Sequence, residues 1–550
     1  MVNSKLLARP ALRLSAAASR RPLSALSQHQ FTRLTRPILS SAIAQAVPRR
    51  TYAQAAAPAS SPAPAPKKRF RLFRWFYRLI LLSLLGGVGT LGYSIYSLRH
   101  PAEQFVPDPE KKTLVILGTG WGSVSLLKKL DTENYNVVVI SPRNFFLFTP
   151  LLPSCTTGLI EHRSIMEPVR NILRHKAATV KYYEAKATKI DYERRVVQIS
   201  DESEIQGETS KTEVPFDMLV VGVGAANATF GIPGVEEHSC FLKEVGDAQK
   251  IRKRIMDCVE TAIFKDQTPE EVKRLLHMVV VGGGPTGVEF AGELQDFFNE
   301  DLKKWVPDIK DNFHVTLVEA LPNVQLPCSP HVLQAAHRLH RIYFQRRSPL
   351  RSAPRPWSRM LQRNTLKPKF RTPMAPRKLK RFPYGLLVWA TGNAVRPVVK
   401  DLISQIPAQK NSRRGLAVNE YLVVNGTENI WGVGDCAITN YAPTAQVASQ
   451  EGAFLARLFN TMAKTEAIEK DLKKLSIAHT PTRAVWRTSG KERAVADISW
   501  LSGNIASGGT LTYLFWRSAY LSMCFSTRNR VLVAFDWIKA KLFGRDVSRE

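Results

Sequence analysis

Two glycine-rich segments stand out for the chemistry they allow: Gly118-Thr119-Gly120-Trp121-Gly122-Ser123 and Gly282-Gly283-Gly284-Pro285-Thr286-Gly287. Each follows a run of branched apolar residues and precedes a helical pattern. A strand, a tight glycine turn and a helix N-terminus together make a cradle for a pyrophosphate, because the turn aims backbone N–H groups at phosphate oxygens and the helix dipole favours their charge. The second segment holds Gly282, Gly284 and Gly287 in the G-x-G-x-x-G frame, whereas the first has Gly118 and Gly120 but closes on Ser123, small enough for a helix to pack on a strand. The strand returning after the second cradle ends at Glu319, 37 residues beyond Gly282. A carboxylate there accepts hydrogen bonds from adenosine ribose hydroxyls and repels a 2′-phosphate, so NADH is expected over NADPH. After the first cradle the equivalent position is Ser141, which carries no charge.

Two cradles suit one resident and one visiting dinucleotide. No side chain accepts a hydride, so a flavin must. Two later markers agree: Trp389-Ala390-Thr391-Gly392 follows a strand, and Ile430-Trp431-Gly432-Val433-Gly434-Asp435 places an acid to bond a ribityl chain. Gln446 and Gln450, four apart, share a helix face. A helix starting near Pro443-Thr444 would point its positive dipole end toward a reduced flavin's charge. On the residues alone, two solvent-facing glutamines are the simpler reading of that pair. No His/Asp catalytic cluster is present, in keeping with hydride transfer, which needs stacking and orientation more than acid–base chemistry.

The elements that must position these residues follow the rhythm of α/β proteins. Continuous apolar strands are predicted at 113–118, 137–140, 216–222, 278–281, 315–318, 386–390 and 430–433, with a helix at 123–130. The fold class is therefore α/β, with two Rossmann-like dinucleotide-binding domains. Toward the C-terminus, 513–523 and 531–543 are aromatic-rich. Val531, Phe535, Ile538 and Leu542 form one helical stripe with Lys539 and Lys541 off it, which fits a helix lying in a membrane interface. Packing against the body is the alternative, and a dimer contact would let both hold.

The chain has 550 residues and a formal charge of +32. Sixteen Lys/Arg and no acid lie in residues 1–100, and 15 more, again without an acid, in 325–382. The rest is close to neutral, which excludes a groove for a nucleic-acid backbone. The six cysteines are widely spaced with no CxxC pair, and Cys155 alone lies near the first cradle in sequence, so a flavin-to-disulfide relay is not expected.

Residues 1–52, rich in Arg, Ser and Ala and free of acids, read as a mitochondrial transit peptide. Residues 53–78 form a Pro/Ala linker and a basic flank, and 79–98 are an uncharged apolar run long enough to span a bilayer. Six positive charges precede the run and only Arg99 and His100 follow it, which keeps the N-terminal side in the matrix and puts the body in the intermembrane space. One span without buried ionisable residues offers no path for proton pumping.

The stretches VILGTGWGSVSLLKKLDTENYNVVVISPRNFFLFTPLLPS, VVVGGGPTGVEFAGELQDF, LLVWATGNAVRP and GVGDCAITNYAPTAQVASQEGAFLA resemble the single-subunit, non-pumping (type II) NADH:ubiquinone oxidoreductases of fungal and plant mitochondria. The likeness covers most of 111–324 and 383–475 and the tail from Lys491. It implies an FAD-binding domain in two parts, 111–245 and 396–475, an NADH-binding domain at 246–395, and a membrane-interface and dimerisation region at 491–550. FAD would lie on Gly118, Gly120 and Ser123, with Ser141 and Arg143 near its adenosine, Thr149 and Pro150 beside its ring system and Asp435 on its ribityl chain. Gly282, Gly284, Gly287, Glu289, Glu319 and Gly392 would form the NADH side, and Gln446 and Gln450 would flank the quinone. Glu289 and the two glutamines would supply or relay protons. Inner-membrane lipid, ubiquinone and a second copy of the chain are the implied partners. A sulfide:quinone oxidoreductase shares the two-cradle plan but needs reactive cysteines; a membrane-tethered redox sensor would keep the cradles without turnover.

Residues 325–382 break the pattern, with eight prolines, no acid and no apolar alternation where a helix and strands are required. They read as a basic insertion or as a stretch translated out of frame. The second is favoured because the family pattern stops at Val324 and resumes at Pro383 without an offset. Residues 476–490 look similarly foreign.

Overall fold

The computed structural model describes residues 69–319, 361–362, 365–366, 382–464, 484–490, 493–500 and 503–548. The transit peptide, residues 53–68 of the linker and basic flank, nearly all of 325–382 and residues 476–483 lie outside them. The chain divides into two units, residues 1–80 and 81–550. Helix α1, Arg69–Arg99, runs through that boundary. Its segment Trp75–Ser97 is long and apolar enough to cross a membrane, and its large apolar side chains from Trp75 to Tyr96 are exposed.

The second unit opens with β1 (Thr113–Leu117), α2 (Trp121–Lys129), β2 (Asn136–Ser141), the short α3 (Leu152–Cys155), β3 (Lys181–Glu184) and β4 (Met218–Val221). There follow β5 (Ala225–Asn227), β6 (Cys240–Phe241), α4 (Val245–Ala262), β7 (His277–Val281), α5 (Pro285–Phe297), which runs into a π-helical turn at Phe298–Leu302, and β8 (His314–Val318). Next come β9 (Leu386–Trp389), β10 (Asn393–Val395), β11 (Ile430–Gly432) and α6 (Ala445–Lys464). The described chain ends with β12 (Ala484–Gly490), β13 (Arg493–Trp500), β14 (Gly503–Gly509), α7 (Thr510–Met523) and α8 (Thr527–Phe543).

Two parallel sheets organise the unit. One has the order β11-β4-β1-β2-β3 and the other β6-β9-β7-β8. In each, the strand that leads into a glycine cradle has neighbours on both sides reached by crossovers in opposite directions, so the cradle sits at the topological switch point where open α/β sheets bind ligands. Burial on both faces explains the unbroken apolar strands. Leu114 and Ile116 of β1 feed one core cluster while Val115 and Leu117 feed another. In β7, Met278 and Val280 are likewise separated from Val279 and Val281. The small antiparallel pair β5–β10 joins segments adjacent to the two sheets.

Helices α2 and α6 cross at two glycines. A Cβ on Gly452 would fall onto the Gly122 carbonyl, and one on Gly122 would come within 2.7 Å of Val433 Cγ2. Helix α6 begins at Ala445, where the Val447 N–H donates to Thr444 Oγ1 at 3.3 Å, so Thr444 caps it. Sequence placed this start within a residue. The three-stranded sheet β12–β14 was not anticipated from the sequence.

Candidate active site

A cleft of about 1000 Å³ is walled by both cradles. Residues 120–122, 222–225, 285–286, 389–393, 433–435 and 442–446 all contribute, and Tyr520 and Met523 of α7 close part of one side.

The cradles share one logic. Gly118 has φ +92, and a Cβ there would lie 2.5 Å from the Gly222 carbonyl oxygen; Gly282 has φ +120 and would meet the Ala390 oxygen at 2.6 Å. Only glycine turns the chain in those places. At the third position, Gly287 backs onto the Gly282 carbonyl, while Ser123 is buried with its Oγ 3.5 Å from the Leu117 carbonyl oxygen. The middle glycines differ in kind. Among the described residues, Gly120 and Gly284 have nothing within 4 Å of a built Cβ. The protein's own packing does not require them to be glycine, whereas a pyrophosphate seated on the helix N-terminus would. The residues present therefore fit a dinucleotide on each cradle.

At the second cradle the Glu319 carboxylate accepts the Gly283 N–H, which holds it over the turn at the end of β8. Glu289, one turn into α5, faces the cleft, as does Gly392, whose φ of +76 brings the backbone against the Phe230 ring. At the first cradle Ser141 is buried, 3.0 Å from the Thr119 hydroxyl, and it also accepts the Arg143 N–H at 3.2 Å. Its side chain is thus engaged within the protein. Arg143 lines the cleft and donates to Glu244 at 2.5 Å. Thr149 Oγ1 accepts from Trp121 Nε1 at 3.0 Å, and Pro150 follows it in the wall. Asp435 sits on a short turn, Gly434–Cys436, with Asn393 Nδ2 3.4 Å away. Gln446 lines the cleft; Gln450, a turn later, is half-buried and outside its walls.

Several residues of the site escaped sequence reasoning. Lys243 lies in the wall and donates to Asn393 Oδ1 at 2.8 Å; burial lowers its pKa, opposed chiefly by Asp435. Glu451 is buried under the Asp435 turn and accepts the Gly434 N–H at 2.8 Å. It was legible as the one acid on the inner face of α6, among Ala448, Gly452 and Leu455. Trp121 meets Phe146 and Phe148 at centroid distances of 5.1 and 5.4 Å, and these rings in turn meet Phe525 and Tyr520 at 5.4 and 6.3 Å. An aromatic layer therefore runs from the first cradle to the C-terminal helices.

One expectation needs correction. Cys155 is not alone near the first cradle, because Cys436 donates its thiol to the Val221 carbonyl oxygen at 3.1 Å. The chain brings it there from 319 residues beyond Leu117 at the end of β1, a placement spacing does not reveal. Both thiols are buried; burial pushes Cys155 up, and Cys436 up to about 11. Neither has the exposed, electropositive setting of a reactive thiolate.

The chain matches the pyridine nucleotide-disulphide oxidoreductase family over residues 112–452 and the NDH2 C-terminal domain over 489–546. It is 53% identical over 524 residues to the mitochondrial external alternative NADH-ubiquinone oxidoreductase of Yarrowia lipolytica, covering 88% of each chain. This chain belongs to the type II NADH:ubiquinone oxidoreductases. With external NADH-ubiquinone oxidoreductase 2 of Saccharomyces cerevisiae it shares 42% identity, across 86% of this chain and 91% of that one. Its fold superposes on Plasmodium falciparum NDH2, solved with NADH, at a TM-score of 0.71 and 26% identity, covering 80% of this chain and 100% of that one.

Within this type II fold Glu451 makes a pH prediction. Burial raises its pKa, while the Gly434 N–H and Thr439 pull it down. A raised carboxyl contributes stability that is complete below its ordinary 4.5 and declines as pH climbs through the folded-state titration. Glu451→Gln is expected to remove that decline. Thermal midpoints measured at stepped pH values above 4.5 check it, and an unchanged slope would contradict the assignment.

Proposed function

We propose that this cleft passes two electrons from NADH to ubiquinone by way of a resident FAD at the mitochondrial inner membrane, without moving protons across it. The observation that carries this reading is continuity: one cleft touches Gly120 at the first cradle, Pro285 and Thr286 directly after Gly284 at the second and, through Tyr520 and Met523, the C-terminal segment. FAD, when bound, supplies the exchange between a two-electron hydride donor and a quinone.

The chain's own residues bind, orient and move protons. Gly118, Gly120 and Ser123 hold the flavin nucleotide, Arg143 faces its adenosine end, and Asp435 with Asn393 takes the ribityl hydroxyls. Gly282, Gly284 and Gly287 seat NADH, with Glu319 on its ribose. Glu289 and Gly392 border the nicotinamide, and Thr149 and Pro150 border the flavin ring. Quinone reduction consumes one proton beyond the hydride; Glu289 is the group assigned to supply it, and Gln446, with Gln450 a turn behind, to its relay by hydrogen bonding. The domain limits of this reading are 111–245 with 396–475 for FAD, and 246–395 for NADH.

Helix α1 is read as the span, with its basic flank in the matrix and the body facing the intermembrane space. Helix α8 rests Val533, Asp536 and Trp537 on the body and leaves Val531, Phe535, Ile538 and Leu542 between 50% and 70% exposed, a stripe suited to the lipid interface. Two copies pair through this same C-terminal region.

The central test is optical. NADH should bleach the bound flavin and ubiquinone-1 should restore its colour; bleaching without restoration would leave a sensor in place of an enzyme. Digestion of the body by protease in mitoplasts checks the orientation, and protection would reverse it. Glu319→Gln is expected to reduce discrimination against NADPH by about tenfold or more, read as the ratio of kcat/KM for the two nucleotides.

A further inference from the structure

The residue that follows α8 enters the nicotinamide half of the molecule from behind. Gly544, at φ +82, turns the chain, and a Cβ there would lie 3.3 Å from Asp301 Oδ1. Arg545 then buries its side chain, only 6% exposed, in an acidic hollow. Its Nε is 3.7 Å from Asp301 Oδ2, its Nη2 is 3.5 Å from Glu300 Oε2 and 4.0 Å from Glu293 Oε2, and its backbone N–H donates to Asp301 Oδ1 at 3.3 Å. The guanidinium also lies 5.8 Å from the Phe297 ring centre. All of these partners belong to α5 or to the π-helical turn that extends it.

Glu293 is the key member. It lies one turn beyond Glu289 on α5, and its Oε1 accepts from Ser154 Oγ at 3.2 Å. Ser154 directly follows Leu152 and Pro153, which line the cleft. Glu293 Oε2 and Arg545 Nη1 are buried with no hydrogen-bond partner among the described residues. Removing the arginine would strand the buried Asp301 carboxylate and leave Glu293 with only the charge of Arg517 to oppose its burial, a far costlier state than a missing surface pair.

We propose that Arg545 is a positioning residue for the nicotinamide step: by filling the acidic hollow it fixes the helix that presents Glu289 to the cleft, so that NADH binding depends on the docked C-terminal tail. The proposal rests on the reading of α5 as the nicotinamide helix.

The test uses the full-length, flavin-loaded enzyme and scores its two halves separately. Stopped-flow bleaching at graded NADH gives the nicotinamide step, and reoxidation of photoreduced enzyme by ubiquinone-1 gives the quinone step. Arg545→Met is expected to raise the NADH concentration for half-maximal bleaching about tenfold and leave the quinone step within about twofold of wild type. Adding Glu293→Gln to it should recover most of the loss, because one poorly compensated charge is removed. If Arg545→Met does not retain flavin, Arg545→Lys decides: it keeps the charge but loses the planar fork, and a shift of about threefold confined to NADH is expected. Unchanged NADH dependence in the variants, or equal decline of both steps, overturns the proposal. A wild-type enzyme that NADH fails to bleach would instead overturn the functional reading beneath it.

Discussion

Replacing Gly284 by valine should raise the KM for NADH by about 100-fold and leave the yellow flavin in place. The residue has φ −74 and ψ 178, ordinary extended backbone that valine adopts freely. A built Cβ meets nothing within 4 Å among the described residues, so their packing leaves room for the side chain. The volume it fills is the approach to the α5 N-terminus, where the pyrophosphate needs backbone contact. Thermal stability should stay within about 2 °C of wild type. The matched substitution at Gly120, which also has open space around it, should do the converse and yield soluble protein that purifies without flavin. This pair of outcomes assigns a resident to one cradle and a visitor to the other. A Gly284→Val enzyme with normal NADH kinetics, or a Gly120→Val enzyme that stays yellow, would undo the assignment.

Gly452→Ala should cost more than any surface change of similar size. The added methyl would press on the Gly122 carbonyl, with the Gly122 carbon at 2.9 Å and the Leu126 nitrogen at 3.0 Å. Every one of these atoms is backbone, so relief requires α2 and α6 to move apart. Alanine's better helix propensity returns about 1 kcal/mol, less than the strain of overpacking two helices in direct contact. Because α2 starts at the first cradle, the displacement also spoils the phosphate seat. We expect a fall in Tm of about 5 °C or more together with loss of flavin, measured by scanning calorimetry and by absorbance of the purified protein. A variant matching wild type in both would show that the helices have slack.

The readable parts of the molecule are those whose signal is local. β1 falls at Thr113–Leu117 where 113–118 was predicted, β8 at His314–Val318 where 315–318 was, and α6 begins one residue from its expected start. Apolar runs buried on both faces, glycines in a fixed frame and a capping threonine all lie within a dozen residues of what they control. The C-terminal stripe was legible too, although sequence alone left it between lipid and body; α8 gives one face to the body and exposes the stripe. The remainder depends on partners distant along the chain. Lys243 meets Asn393 across 150 residues, Cys436 meets Val221 across 215, and Arg545 meets Asp301 across 244. Nothing in the spacing of those residues carries their pairing. Glu451 is an intermediate case, visible as an off-pattern charge once the face of α6 is drawn, yet unassignable until the turn at Gly434 is laid over it.

The strand order of the first sheet bears on synthesis. Its edge strand, Ile430–Gly432, pairs with Met218–Val221 only after the whole second sheet has been made. A chain emerging from the ribosome or an import pore can complete the second sheet once Trp389 is out, while the first still shows an unpaired apolar edge. Flavin capture is therefore a late event, and a product cut short between Trp389 and Ile430 would display that edge to neighbouring chains and aggregate rather than persist as a soluble half-enzyme.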